Sequence, residues 1–239
     1  MAFKLLWSVS MAEHKVTNPL EEFFDNQKEG PGIWKWRHYF EIYDRHFRAF
    51  RDRPVHFLEI GIYSGGSLSM WSQYFGLQAQ IYGVDIEPAC KGYETDTTKI
   101  FIGDQSDRAF WKDFRETVPL LDIVVDDGGH TPLQQRVSLE ELLPHLRPGG
   151  IYLCEDITGN TNEFASHVHQ LAHQLNAFDN VAQDLNDNER RLFSKSTKLQ
   201  SAIHSVHLYP FVAVIEKRDT PLIELVAPKH GTKWEPFLQ

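Results

Sequence analysis

Asp126-Asp127-Gly128-Gly129-His130, followed 24 residues after the histidine by Cys154-Glu155-Asp156, is the richest chemistry-bearing stretch of this 239-residue chain. Both sets close apolar runs that read as strands, and neighbouring strands lie about 4.8 Å apart, so their carboxylates can meet. Consecutive strand residues point to opposite faces, which gives Asp126 and Asp127 different jobs. Asp127, Glu155 and Asp156 could converge on one hard divalent cation with oxygen and water ligands, as Mg²⁺ prefers. Three carboxylates packed together with no cation would raise one another's pKa values and cost stability. The competing reading is that one or two of them, Asp126 or Asp156 first, cap a helix or turn. His130 opens a predicted helix, where an imidazole could accept a proton from a metal-bound hydroxyl. The chain holds 12 histidines, so only its place beside the carboxylates sets His130 apart.

A second constellation lies upstream, in Glu59-Ile60-Gly61-Ile62-Tyr63-Ser64-Gly65-Gly66-Ser67. A glycine-rich strand-to-helix turn lets backbone N–H groups approach a ligand, with a helix N-terminus behind it. No Gly-Lys-Ser/Thr follows, the spacing is not Gly-x-Gly-x-x-Gly, and the serine is misplaced for a nucleophile elbow. By itself the segment fits a tight turn with no ligand equally well. Asp85 ends the next predicted strand, where a carboxylate can accept both hydroxyls of an adenosine ribose or merely cap a turn. Together the two features point to a nucleoside-cofactor site.

The elements that must position these residues alternate. Strands are predicted at 55–60, 80–85, 99–102, 121–126 and 151–154, with helices at 67–75, 107–116, 132–146 and 162–178. Arg147-Pro148-Gly149-Gly150 is the stop of the third of those helices. Alternation of this kind implies a parallel sheet covered on both faces, and ligands bind beyond the carboxyl ends of such strands. Strands at 203–208 and 211–215 are separated only by Tyr209-Pro210, too short for a crossover, so that pair must be antiparallel. Upstream, Trp36, Phe40, Tyr43, Phe47 and Phe50 recur at steps of four and three, one face of a helix. Arg37, Arg45, Arg48 and Arg51 lie off that stripe and read as a solvated basic face, with an RNA- or anion-binding face as the sharper alternative.

The expected organisation is an N-terminal extension at 1–17, a helical cap at 18–53, a catalytic domain at 54–217 and a tail at 218–239. The polar stretch 179–198 is expected to be a surface loop or lid. Met11 is an alternative start. With 33 acidic against 24 basic residues the net charge is −9, which argues against a protein that grips nucleic acid by neutralising phosphates. Apolar residues make up 41% of the chain, which excludes wholesale disorder. Cys90 and Cys154 cannot build a disulfide framework, and no run reaches the roughly 20 apolar residues of a membrane helix. A cytoplasmic protein, with neither nucleic acid nor membrane as partner, is the expectation.

The ordered motifs, from Glu59 to Leu68, Gly83-Val84-Asp85-Ile86, Gly103-Asp104-Gln105-Ser106, Asp126 to His130 and Pro148-Gly149-Gly150 with Glu155-Asp156, resemble class I S-adenosylmethionine-dependent methyltransferases. More closely they are similar to the metal-dependent sugar O-methyltransferases of macrolide antibiotic tailoring, over roughly residues 34–217. The resemblance implies an α/β Rossmann-like fold, mostly parallel with a C-terminal antiparallel hairpin. It implies S-adenosylmethionine and Mg²⁺ as cofactors, and a hydroxyl-bearing small molecule, such as the sugar of a natural product, as acceptor. It is compatible with a homo-oligomer. Glu59, Gly61, Ser64, Gly65 and Ser67 would belong to the methionine-binding loop, Asp85 and Ile86 to the ribose site, and Asp104 or Gln105 to the adenine border, with Asp126 on the cofactor side. Asp127, Glu155 and Asp156 would be the metal ligands and His130 the general base. The resemblance implies a sizeable N-terminal domain in the macrolide enzymes for which no counterpart is expected among these residues, and Gly129 stands where that group usually has serine. Two other readings remain open: a tailoring enzyme of the cephalosporin-hydroxylase kind on the same fold, and a non-catalytic cofactor-binding subunit.

Overall fold

The computed structural model describes residues 18–159, 161–177, 181–184 and 191–231. The expected extension at 1–17 lies outside them, as do parts of the expected loop and the end of the tail. In chain order the elements are α1 (Pro19–Asn26), α2 (Arg37–Phe47), β1 (His56–Ile60), α3 (Gly66–Phe75), β2 (Gln80–Asp85), β3 (Thr98–Ile102), α4 (Arg108–Thr117), β4 (Leu121–Asp126) and α5 (Pro132–Leu142). They continue with β5 (Leu146–Cys154), α6 (Glu163–Gln174), β6 (Ala182–Asp184), β7 (Arg191–Lys195), α7 (Lys198–Ala202), β8 (Ile203–Tyr209), β9 (Val212–Lys217) and β10 (Glu224–Pro228).

Seven strands form the main sheet in the order β3-β2-β1-β4-β5-β9-β8. The first five are parallel, while β9 runs antiparallel to both β5 and β8. Strand alternation sends side chains to two cores. On one face Phe57, Ile81, Ile123, Val125 and Leu153 pack with Tyr43, Phe47, Trp71 and Phe75 of α2 and α3. On the other, Leu58, Ile60, Val84, Val124 and Tyr152 meet Trp111 and Phe114 of α4, Val137 of α5 and Val168 of α6. An α/β sheet covered on both faces therefore stands as read from the alternation. Within the expected helical cap at 18–53, Leu20, Tyr39 and Phe40 belong to the first of these cores.

Two expectations are corrected. The helix expected over 132–146 ends at Leu142, and Arg147-Pro148-Gly149-Gly150 lies inside β5. Leu146 already pairs with Leu121, and a register shift follows it. Proline and glycine are tolerated in such a strand at a bulge, and Gly149 has φ +75 there. The stretch expected to be a loop at 179–198 contains β6 and β7, and the tail supplies β10. The three form a second sheet in the order β10-β7-β6, antiparallel throughout.

The hairpin is tied to α2 by polar contacts as well as by packing. His46 Nδ1 lies 2.7 Å from Glu216 Oε1, and Ser205 Oγ donates to Glu216 Oε2 at 2.9 Å. The hydrogen bond with His46 is the main cause holding the Glu216 carboxyl down at about 2. A folded-state value below the unfolded one means stability that is complete above the ordinary carboxylate range and lost as pH falls toward 2. The urea midpoint is therefore expected to fall more steeply between about pH 5 and pH 2.5 in the native chain than in Glu216→Gln. Parallel falls in the two proteins would contradict this.

Candidate active site

The carboxyl ends of β1 to β5 open on one cavity of about 1480 Å³. One end is lined by Gly61 to Ser64, Asp85 to Glu87 and Gly103 to Gln105; the other by Asp127 to His130, Glu155 and Asp156, with residues 32–39 along one side. Tyr63, His130 and Asp156, which follow β1, β4 and β5, have φ of 46°, 59° and 52° and all line this cavity. Non-glycine residues held at positive φ cost energy and cluster where a site must be pre-formed.

At the first end, Asp85 Oδ2 accepts the backbone N–H groups of Ile62 (2.9 Å) and Tyr63 (3.2 Å), and Oδ1 accepts that of Glu87 (2.9 Å). The carboxylate is thus locked against the turn after β1, yet it is half-buried and keeps accepting capacity toward the cavity. Gly61 has φ +81, and a Cβ there would lie 2.1 Å from the carbonyl oxygen of Asp127. Its lack of a side chain lets the β1 turn lie against the loop after β4, a close approach to backbone rather than to a ligand.

Glu59 and Gly65 do not line the cavity. Glu59 is fully buried beneath it, accepting from Ser67 Oγ (2.6 Å) and Trp71 Nε1 (3.1 Å). Gly65, at φ +76, is the N-cap of α3 and lies under the ring of Tyr93. Ser64, Ser67, Ile86, Asp104 and Gln105 do line it. Asp104 accepts from the backbone N–H and Oγ of Ser106, both at 2.8 Å, which fixes the turn after β3. Asp126 faces away, 1% exposed, and accepts from Tyr152 OH (2.7 Å) and Gln105 Nε2 (3.0 Å). Burial pushes its carboxyl up to about 6 against those hydrogen bonds. Its role is to hold Gln105, whose Oε1 in turn accepts the N–H of Gly129 at 2.6 Å. A Cβ at Gly129 would lie 2.3 Å from Gln134 Oε1, the side chain that completes the cap of α5.

The second end divides the expected metal-ligand trio. Asp127, His130 and Asp156 each offer one donor atom, and these lie within 4.8 Å of one another. His130 Nε2 is 3.9 Å from Asp127 Oδ1 and 3.7 Å from Asp156 Oδ2. Glu155 does not join them. It is fully buried, and its carboxylate accepts from Tyr43 OH (2.5 Å) and from Lys35 Nζ (3.1 and 3.2 Å). The same ammonium donates to Asp127 Oδ2 at 2.5 Å and lies 3.4 Å from Glu59 Oε1. Burial pulls the Lys35 pKa down, but Asp127, Glu155 and Glu59 outweigh it and hold the ammonium well above its usual value. Burial, reinforced by Asp127, pushes Glu155 up, with Lys35 opposing. Asp156 is held by Tyr39 OH (2.7 Å) and Trp36 Nε1 (3.0 Å).

Lys35, Trp36, Tyr39 and Tyr43, all from α2 and the residues before it, are the site residues that the sequence reading missed. One signal was available: buried tyrosine hydroxyls need acceptors, so Tyr43 in the core-facing helical stripe implies a polar group opposite it.

The donor set fits a divalent cation. Two carboxylates of intermediate exposure, each fixed through its second oxygen by a neighbour, present Asp127 Oδ1 and Asp156 Oδ2 to the same space. Hard cations such as Mg²⁺ take one or two carboxylates and complete their shell with water and substrate.

The profile of a methyltransferase domain matches residues 58–157. Demethylmacrocin O-methyltransferase of Streptomyces fradiae is 41% identical over 132 residues, which are 52% of this chain and 33% of that enzyme. Mycinamicin VI 2''-O-methyltransferase of Micromonospora griseorubida is 42% identical over 122 residues, 48% of this chain and 30% of its own. The chain thus spans about a third of the length of these curated relatives. Among solved structures, MycE methyltransferase from the mycinamycin biosynthetic pathway, in complex with Mg, SAH and mycinamycin VI, superposes with a TM-score of 0.67 at 28% identity. That match covers 84% of this chain and 53% of the other. No helix among the described residues is long and apolar enough to cross a membrane.

Proposed function

We propose, for a chain that belongs to the class I S-adenosylmethionine-dependent methyltransferases and is related to the macrolide sugar O-methyltransferases, that it methylates a hydroxyl on the sugar of a glycosylated small molecule with the help of Mg²⁺. The observation that carries this reading is that one cavity joins the Asp85 end to the Asp127–His130–Asp156 end. The first end suits a ribose and the second a hydroxyl that must lose a proton.

Within that reading, Asp85 accepts the ribose hydroxyls, and Gly61 to Ser64 with Ser67 lie beside the methionine portion. Asp127 and Asp156 would hold the cation, which supplies Lewis-acid polarisation of the acceptor hydroxyl when bound. His130 takes the hydroxyl proton as the oxygen attacks the sulfonium methyl group. Tyr39 and Trp36 keep Asp156 in place, so the reacting oxygen is presented in one orientation, which is worth several powers of ten in rate when the geometry is right.

Demethylmacrocin and mycinamicin VI, named for the relatives above, are the first acceptors to try. Incubation with S-adenosylmethionine, Mg²⁺ and either acceptor is expected to release S-adenosylhomocysteine and a singly methylated glycoside, and EDTA is expected to abolish both. Undiminished turnover in EDTA would remove the cation from the mechanism. Methyl transfer to neither glycoside, with cofactor bound, would remove that acceptor class.

A further inference from the structure

Away from the cavity, α2 and the closing hairpin bring two imidazoles and a carboxylate together. Strand alternation puts Ser205, His207 and Tyr209 on the face of β8 that α2 covers, with Glu216 beside Ser205 on β9. His46 meets them from the last turn of α2. The rings of His46 and His207 have centroids 4.7 Å apart. Glu216 Oε1 is 2.7 Å from His46 Nδ1, and its Oε2 is 3.7 Å from His207 Nε2. One donor atom of each residue lies within 4.8 Å of the other two. Ser205 Oγ is 2.9 Å from Glu216 Oε2 and 3.0 Å from His207 Nε2, and Tyr209 OH is 2.9 Å from His46 Nε2. Val212 and Val214, earlier on β9, belong to the apolar core. A polar corner on an apolar face costs desolvation unless its groups bond to one another or to a ligand.

We propose that His46, His207 and Glu216 form a Zn²⁺ site outside the catalytic cavity, which fastens α2 to the closing hairpin. None of the three lines that cavity. Two imidazoles and one carboxylate are a ligand set zinc takes when water fills its fourth position. Imidazole nitrogen suits zinc, whereas Mg²⁺ takes oxygen ligands. The side chains of His207 and Glu216 are 36% and 25% exposed, which gives the ion and its water a way in. That of His46 is 4% exposed, so the inner ligand is held by packing. Tyr209 lets the imidazole serve two states. With its proton on Nδ1, His46 donates to Glu216 and accepts from Tyr209 OH. With the same proton on Nε2, it donates to Tyr209 and frees the Nδ1 lone pair for the cation, the usual outer-shell support of a zinc-bound histidine. Residues 37–39, at the start of α2, line the catalytic cavity, so a tie at the other end of the helix steadies that wall.

Zn²⁺ titration of the EDTA-treated, desalted full chain against a chromophoric chelator, with Mg²⁺ in excess, tests the proposal. Asp127, His130 and Asp156 could also take zinc, so the titration is made in the native chain and in Asp127→Asn, and the remaining variants are built on Asp127→Asn. One Zn²⁺ per chain is expected to persist in Asp127→Asn. Its affinity is expected to fall about tenfold or more on adding His207→Ala or Glu216→Gln. Adding His204→Ala, which removes an exposed histidine from the opposite face of β8, is expected to leave it unchanged. Zn²⁺ is also expected to raise the Tm of Asp127→Asn and not that of the chain with His207→Ala added. Loss of all zinc binding in folded Asp127→Asn overturns the proposal, and so does undiminished affinity after His207→Ala and Glu216→Gln.

Discussion

His130→Ala is expected to slow methyl transfer by about 10²- to 10⁴-fold, the usual worth of a positioned general base, while S-adenosylhomocysteine binds as before. The imidazole lines the cavity, its side chain is 41% exposed, and it stands 3.7–3.9 Å from the two carboxylates. Alanine carries the same Cβ at φ 59°, so the substitution adds no backbone strain and the loss reports on the ring. The same variant separates base from ligand. A base leaves Mn²⁺ affinity within about twofold of native, whereas removal of a coordinating nitrogen costs roughly tenfold or more. Unchanged turnover in His130→Ala would take proton transfer away from this residue.

Gly61→Ala is expected to be the most damaging single change to the fold, at about 3 kcal/mol or more of unfolding free energy. Two effects add. A residue with a Cβ at φ +81 pays about 1–2 kcal/mol for the left-handed backbone. The Cβ would also sit 2.1 Å from the Asp127 carbonyl oxygen and 2.9 Å from Gly128 Cα, and both are backbone atoms that cannot rotate aside. Gly159→Ala isolates the first effect, since that residue has φ +99 and nothing within 4 Å of its Cβ position. Chemical denaturation should therefore rank Gly61→Ala well below Gly159→Ala, with cofactor binding lost only in the former. Equal midpoints would show that the β1 turn and the β4 loop can separate freely.

The parts of this molecule legible in the sequence are those whose signal is local. β2 and β4 are bounded by their own carboxylates, and their observed ends, Asp85 and Asp126, coincide with the ends of their apolar runs. The antiparallel hairpin followed from a gap too short for a crossover. β7 and β10 were missed because each is short and mostly exposed, with no buried apolar run to mark it; they pair across some 30 residues, Lys195 with Glu224 and Arg191 with Pro228. Asp127, His130 and Asp156 were readable as neighbours because they close adjacent strands. Glu155 was read as a ligand from its place at a strand's carboxyl end and from the family resemblance; its contact with Lys35, 120 residues away in sequence, had no local signal. Strand alternation put Asp126 and Asp127 on different faces, and the structure then gives Asp126 to Gln105 and Tyr152 rather than to the cavity.

A crystal grown with S-adenosylhomocysteine and Mn²⁺, with an anomalous difference map at the manganese edge, tests the central claim directly. The account predicts the ribose hydroxyls on the Asp85 carboxylate and a single manganese peak shared by Asp127 and Asp156, opening on the same cavity. A cofactor bound away from Asp85, or a manganese peak remote from both Asp127 and Asp156, would contradict it.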